Sequence, residues 1–278
     1  MVPELTAVVF SYNRRDVIET TLRSARFADR LVVVDKGSTD GSAEIGKAYA
    51  DEFYTAAWSP TIEPTKAEYI PKIQSEWILV LDDDECLNIE AIAYIQLAVR
   101  KRQFDVYYLP LRNYILGRHD ERAYYWPEHH PMLFRHGAVR FEKKVHGGKI
   151  RVSDNHFFVR PESGVSVLHL SHPDARTWIE KTNRYTDERD RASSVGVDDL
   201  TPAGVIRAMD SWLSKVPSGE DPYLTAVAAL RGIYDVVDMV KLWEQQQEDG
   251  NQRFALLCEE LNRDYDALGI GRRCVTVG

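Results

Sequence analysis

Four consecutive acids, Asp82, Asp83, Asp84 and Glu85, end the apolar run in WILVLDDDECLN, which spans Trp77 to Asn88. Adjacent carboxylates repel one another and resist burial, so a strand that delivers them needs a partner charge or open water. Aspartate is a hard oxygen ligand suited to magnesium or manganese. In a regular strand residues i and i+2 share a face, so Asp82 and Asp84 point toward one ligand region. Asp83 then faces elsewhere, and Glu85 enters through the turn. Magnesium takes one or two protein carboxylates and fills its other positions with water and substrate phosphates, where it neutralises charge on a departing diphosphate. An exposed acidic turn or a helix cap is the plain alternative for the same residues. A calcium loop is not indicated, because the twelve-position pattern with its central glycine is absent.

Two other polar stretches follow apolar runs. In FSYNRR, Tyr12 has a ring that can flank a nucleobase, and Asn13 and Arg14 can donate to base, ribose or phosphate. In VDKGSTDG, Asp35 can accept from a base imino or amino group, or simply cap a turn. The first apolar run is followed by SYNRRD rather than closely spaced glycines, which disfavours a dinucleotide fold.

The elements that must position these residues are legible as alternating periods. LTAVVF, RLVVVD, a short piece near Phe53 to Ala56 and EWILVLD read as strands. Between them lie helix-like stretches, with Ser38 or Thr39 placed to cap the second and Asn88 to cap IEAIAYIQLAVRK. Ile89, Ile92 and Leu97 suggest the packed face of that last helix, although other registers are open. Continuous apolar strands need cover on both faces, so this order predicts a largely parallel sheet flanked by helices. Ligands of open sheets lie outside the carboxyl ends of the strands, where all three polar stretches fall. From Phe104 the pattern changes to extended pieces rich in aromatics, arginine and histidine, and after HLSHP it becomes helical, with a break at Pro217 to Gly219.

Composition bounds the function classes. The 278 residues suffice for one large domain or a domain with a helical appendage, and the apolar fraction of 44% is ordinary for a globular protein. With 35 basic and 43 acidic residues the net charge is −8, which disfavours a nonspecific nucleic-acid surface. Cys86, Cys258 and Cys274 lack zinc spacing and read as free thiols. No stretch reads as a leader or a membrane span, so the expected location is cytoplasmic, with peripheral contact at the inner face of the membrane still allowed.

In order and spacing, VVFSYNRRDVIETTLRSA, DRLVVVDKGSTDGSAEI and EWILVLDDDE resemble the N-terminal motifs of inverting glycosyltransferases of family 2, which have the GT-A fold. The last is a form of that family's Asp-x-Asp signature. ILGR, YYWPEHHPMLFR and VRFEKKVHGG further resemble the branch containing lipopolysaccharide core glucosyltransferases. The resemblance covers roughly residues 4 to 172. It implies a GT-A-like domain over 1–172, with a nucleotide-binding half (1–103) and an acceptor-side half (104–172), and a helical extension over 173–278. It also implies that Tyr12, Asn13 and Asp35 hold the nucleoside, that Asp82 and Asp84 serve ribose and metal-diphosphate binding, and that Asp84 is the direct ligand of Mg2+ or Mn2+. Asp83 belongs to the same motif. Lys66, in EPTKAEY, stands where related enzymes carry a diphosphate contact.

A single-displacement transfer needs a base beside the acceptor hydroxyl. Glu128, set among aromatics in YYWPEHHPMLF, is the first choice, with Asp120 in reserve. His146 is a candidate metal or phosphate ligand, and Arg118, Arg135 and Lys144 are candidate phosphate partners, arginine being suited to bidentate contact. The expectation is therefore an inverting, metal-dependent enzyme that moves a hexose from a nucleotide-sugar, UDP-linked by preference. Its hydroxyl acceptor would be lipopolysaccharide core, another glycan or a small metabolite. A homodimer through the aromatic helical tail is compatible with the pattern. A magnesium-dependent nucleotidyltransferase and a noncatalytic carbohydrate- or partner-binding module are the competing classes. The first lacks a strong phosphate loop after its first strand, and the second leaves Asp35, Asp82 and Asp84 without a common purpose.

Overall fold

A computed structural model describes residues 4–143, 148–187, 195–219, 221–247 and 250–269. In chain order the first half comprises β1 (Leu5–Ser11), α1 (Ile18–Ala25), β2 (Arg30–Asp35), α2 (Ser42–Tyr49), β3 (Glu52–Thr55), α3 (Glu63–Tyr69), β4 (Trp77–Asp82), β5 (Glu85–Leu87) and α4 (Ile89–Lys101). The strands that come next are β6 (Val106–Ile115), β7 (Glu128–Arg135), β8 (Val139–Phe141), β9 (Lys149–Arg151), β10 (His156–Phe158) and β11 (Val167–His172). Helices α5 (Ala175–Thr186), α6 (Pro202–Leu213), α7 (Pro222–Gln245) and α8 (Gly250–Ala267) follow.

One mixed sheet runs in the order β3-β2-β1-β4-β7-β6-β11-β5, with β10 also on β6. β1, β2, β3 and β4 are parallel, and β7 enters antiparallel between β4 and β6. Parallel strands must be buried on both faces. Accordingly every residue of β1 is buried, and two apolar layers cover the sheet, one built on α1 and α4 and the other on Ile70, Ile73 and Phe141. At Gly46 a side-chain carbon would lie 3.0 Å from the Phe53 ring and 3.2 Å from Val33, so the missing side chain lets α2 seat closely on β2 and β3.

The helix expectations need two corrections. Asn88 caps α4 as expected, its Oδ1 accepting from the Ala91 amide at 2.9 Å, but the buried stripe is Ala91, Ile95, Ala98 and Val99. Ile89 and Leu97 are exposed, because β-sheet cover is supplied by the smaller alanine-containing face. α2 starts at Ser42 after Gly41, with no side-chain cap. The Ser38 hydroxyl is committed to Asp35 instead, and the Thr39 amide donates to Asn13.

A third apolar cluster joins Ile115, Ala123 and Tyr125 to Trp178, Leu224 and Val227, so α5 and α7 pack on the end of β6 and the loop that follows it. Among the described residues, no helix is long and apolar enough to cross a membrane.

Candidate active site

β4 carries Asp82 to the carboxyl edge of the sheet, and the turn to β5 holds Asp83 and Asp84. β5 then pairs antiparallel with β11, placing Glu85 opposite His169. The four acids divide by burial and partner. Burial opposes ionisation of Asp82, but Lys66, with Nζ 2.5 Å from Asp82 Oδ1, outweighs it and lowers the carboxyl pKa. Asp84 is buried, yet His169, Lys181 and Arg14 hold its carboxyl well below the usual range. Burial and the neighbouring Asp84 charge push Asp83 up to about 8, and burial with Asp82 raises Glu85. Mutual repulsion is therefore relieved by pairing Asp82 and Asp84 with cations, while Asp83 favours the protonated form and the Glu85 carboxyl is shifted upward.

Asp84 is the hub. Its Oδ2 accepts from Arg14 Nη2 at 2.6 Å and Lys181 Nζ at 3.2 Å, and its Oδ1 lies 3.4 Å from His169 Nε2. Arg14 Nη2 also donates to the Leu170 carbonyl at 3.0 Å, tying the loop after β1 to β11. Asp83 accepts from the Tyr12 amide at 2.8 Å, which fixes the same loop from below.

From His169 the network continues away from the acidic turn. His169 Nδ1 donates to Asn113 Oδ1 at 2.6 Å, and Asn113 Nδ2 donates to Glu128 Oε2 at 2.7 Å. Burial disfavours the charged imidazole, but Asp84 overrides it and raises His169, consistent with both ring nitrogens acting as donors. Glu128 Oε1 is 2.9 Å from His130 Nε2. Burial would raise the Glu128 carboxyl, but the His130 and Asn113 contacts bring it down to about 2. A carboxylate kept ionised beside a line of aromatics can accept a proton from an incoming hydroxyl.

The structure thus brings together Tyr12, Arg14, Lys66, Asp82, Asp83 and Asp84, and links Glu128 to them through Asn113 and His169. Asn13 and Asp35 lie at the same edge, but their side chains shape the loops. Asp35 accepts from the Gly37 and Ser38 amides at 2.9 and 2.8 Å and from the Ser38 hydroxyl at 2.5 Å. Gly37 sits at φ +82°, which glycine tolerates best, and allows that wrap. Asn13, itself at φ 51°, accepts from the Thr39 amide at 2.8 Å.

Arg118 and Arg135, expected as phosphate partners, both have carboxylate partners in this structure. Arg135 pairs with Glu76 and Asp105 and lies over the Trp77 ring, at the opposite end of β4 from Asp82. Arg118 pairs with Asp120 and Asp221 beside Tyr223, so both it and Asp120 are committed to the junction with α7. His146 and Lys144 lie outside the described residues. Asn113, His169 and Lys181 were not selected by sequence reasoning. Their roles come from tertiary placement, β11 beside β6 and α5 over the turn, which leaves no local signal in the sequence.

The fit of a divalent cation turns on Asp84. Both of its oxygens already face cationic groups, Arg14 and Lys181 on one and His169 on the other. These residues as arranged do not fit a resident metal, because guanidinium and ammonium groups occupy the positions a cation would take. Asp84 is accordingly a salt-bridge acceptor here. Two hollows flank the edge. One of 480 Å³ is lined by Asn13, Arg14, Asp40, Tyr114, Leu170 and His172, and one of 470 Å³ by Ala56, Trp58, Ser59 and Thr65 among others.

The sequence profile described as Glycosyl transferase family 2 matches residues 6–160. This chain belongs to glycosyltransferase family 2, and its α/β architecture is the GT-A-like sheet of that class with helices appended. Among solved structures it is similar to the mannosyltransferase PcManGT of Pyrobaculum calidifontis, solved with GDP-Man and Mn2+. That match has 13% identity and a TM-score of 0.48, covering 89% of each chain. It is also similar to residues 1–349 of S. aureus TarS with UDP, at 14% identity and TM-score 0.44, covering 88% of this chain and 91% of that one. Against the longer TarS chain it spans 55% of the length. A third similarity is to glucosyl-3-phosphoglycerate synthase of Mycobacterium tuberculosis with Mn2+, UDP and phosphoglyceric acid. It has 14% identity and a TM-score of 0.34, covering 40% of this chain and 43% of that one.

Proposed function

We propose that the chain is an inverting glycosyltransferase that moves a hexose from a nucleoside-diphosphate sugar, UDP-linked by preference, to a hydroxyl acceptor such as a surface glycan. The observation that carries this reading is the continuous chain Glu128–Asn113–His169–Asp84. It joins an ionised carboxylate on the acceptor-side strand β7 to the charged turn at the nucleotide edge. The acceptor hydroxyl lies against Glu128 and gives it a proton as its oxygen attacks the anomeric carbon. The bond from that carbon to the β-phosphate oxygen breaks, and the electron pair leaves with the diphosphate. Inversion follows from attack and departure on opposite faces. Tyr12 and the hollow beyond β3 supply the nucleoside contacts, and Lys66 and Arg14 supply positive charge near the phosphates.

The direct test is Glu128→Gln, assayed with a nucleotide-sugar and a hydroxyl acceptor. Donor binding stays within about twofold of wild type while kcat falls by about 10²-fold or more, the range of a lost general base. Normal transfer by the variant removes Glu128 from this role.

A further inference from the structure

Helix α5 belongs by sequence to the helical extension, yet in three dimensions it roofs the acidic turn. Asp174 caps it, accepting from the Thr177 amide at 2.7 Å, and buried Trp178 pins it into the third apolar cluster. That anchoring turns Lys181 inward, where its Nζ reaches Asp84. Arg184, three residues on, falls on the same helix face. Its guanidinium lies 5.3 Å from the Tyr185 ring centre. Among the described residues it has no carboxylate partner, and its Nε is buried without a hydrogen bond. A half-buried guanidinium with an unspent donor calls for an anion.

A second cation, Lys36, follows β2 at the same sheet edge and lies beside the Tyr12 ring. Lys36 is buried, and its Nζ ends on the carbonyls of Ser59 and Thr61 at 2.9 and 3.1 Å, 5.4 Å from the Tyr12 ring centre. Burial first, and the charge of Arg184 second, push Lys36 down to about 8, so the two cations repel one another. An incoming polyanion converts that repulsion into two attractions.

From this placement we propose that Lys181 and Arg184 of α5 act with Lys36 to grip the diphosphate of the nucleotide-sugar, so that the C-terminal extension completes the donor site. The inference rests on the glycosyltransferase reading above and adds residues that the N-terminal motifs do not contain. It also gives the grip a catalytic use. When the sugar–phosphate bond breaks, the diphosphate gains one negative charge, and fixed cations stabilise that product-like charge more than the ground state. Lys181 can then exchange Asp84 for a phosphate oxygen.

The test is calorimetric titration of UDP and GDP, with UMP and GMP as one-phosphate controls, into wild type, Lys181→Ala, Arg184→Ala and Arg184→Lys. All titrations are made in magnesium-containing buffer, and thermal melts establish that each variant is folded. For whichever diphosphate binds wild type, each alanine variant loses about tenfold or more in affinity, as expected for charge-assisted contacts, and the loss is smaller for the monophosphate. Arg184→Lys recovers part of it. Folded alanine variants that bind the diphosphate as tightly as wild type overturn the inference and leave the glycosyltransferase reading standing. A wild-type protein that binds neither diphosphate nor any nucleotide-sugar overturns both.

Discussion

At the scale of single residues, the site is a problem of placing charge. Asp82 and Asp84 stay ionised because each has its own cation, whereas Asp83 favours the neutral form and burial with the Asp82 charge raises the Glu85 carboxyl. Glu128 is set apart from this cluster, and its low pKa comes from His130 and Asn113 overcoming burial. Asn113→Ala removes a donor to the Glu128 carboxylate, so the Glu128 pKa rises from about 2 toward the ordinary carboxyl value. The acid limb of kcat/KM therefore moves to higher pH, while the KM for donor is little changed. Because the folded-state pKa of Glu128 is depressed, its stabilisation is present above the unfolded value and disappears as pH falls through about 2. The variant loses part of it across that window, and a pH–rate profile with acid melts reads both effects. An acid limb identical to wild type argues that Asn113 does not set Glu128.

At the scale of elements, hydrophobic runs made β1, β2 and β4 legible, because strands covered on both faces carry unbroken apolar sequence. The acidic turn and the loop after β1 were legible because their polar residues interrupt those apolar runs at the strand ends, although Asn13 and Asp35 there shape loops. The face of α4 was not, because Ala91 and Ala98 are small and give a weak periodic signal beside Ile89 and Leu97. Asn88 does more than its sequence signature implies. Besides capping α4, its Oδ1 accepts from the Ser166 amide at 3.1 Å and its Nδ2 donates to the Gly164 carbonyl at 2.7 Å, so it clamps the approach to β11. Asn88→Ala loses the cap and both tertiary bonds. It lowers stability by about 2 kcal/mol, the upper end for a cap, with a clear drop in Tm. A change below about 0.5 kcal/mol, the lower end of the cap range, means that β11 is held without it.

At the scale of the whole molecule, the site is assembled from segments far apart in the chain. Arg14, Asp84, His169 and Lys181 meet at one carboxylate, and Asn113 and Glu128 extend the contact across β6 and β7. Linear motifs carried the first two of these residues and Glu128, because strand-end position and residue type mark them locally. His169, Asn113 and Lys181 could not be selected that way, since their roles come from β11 lying between β5 and β6 and from α5 folding back over the turn. The same geometry explains why Arg135, attractive by residue type, is spent at the far end of the sheet. The central claim is that this assembled edge holds a nucleoside diphosphate as a leaving group. It is tested most directly by titrating the full chain with UDP-glucose, GDP-mannose, dTDP-glucose and ATP, with and without magnesium or manganese, and following bound nucleotide and slow donor hydrolysis. The account predicts saturable binding of a nucleotide-sugar with release of its nucleoside diphosphate. Turnover of ATP with no nucleotide-sugar bound contradicts it.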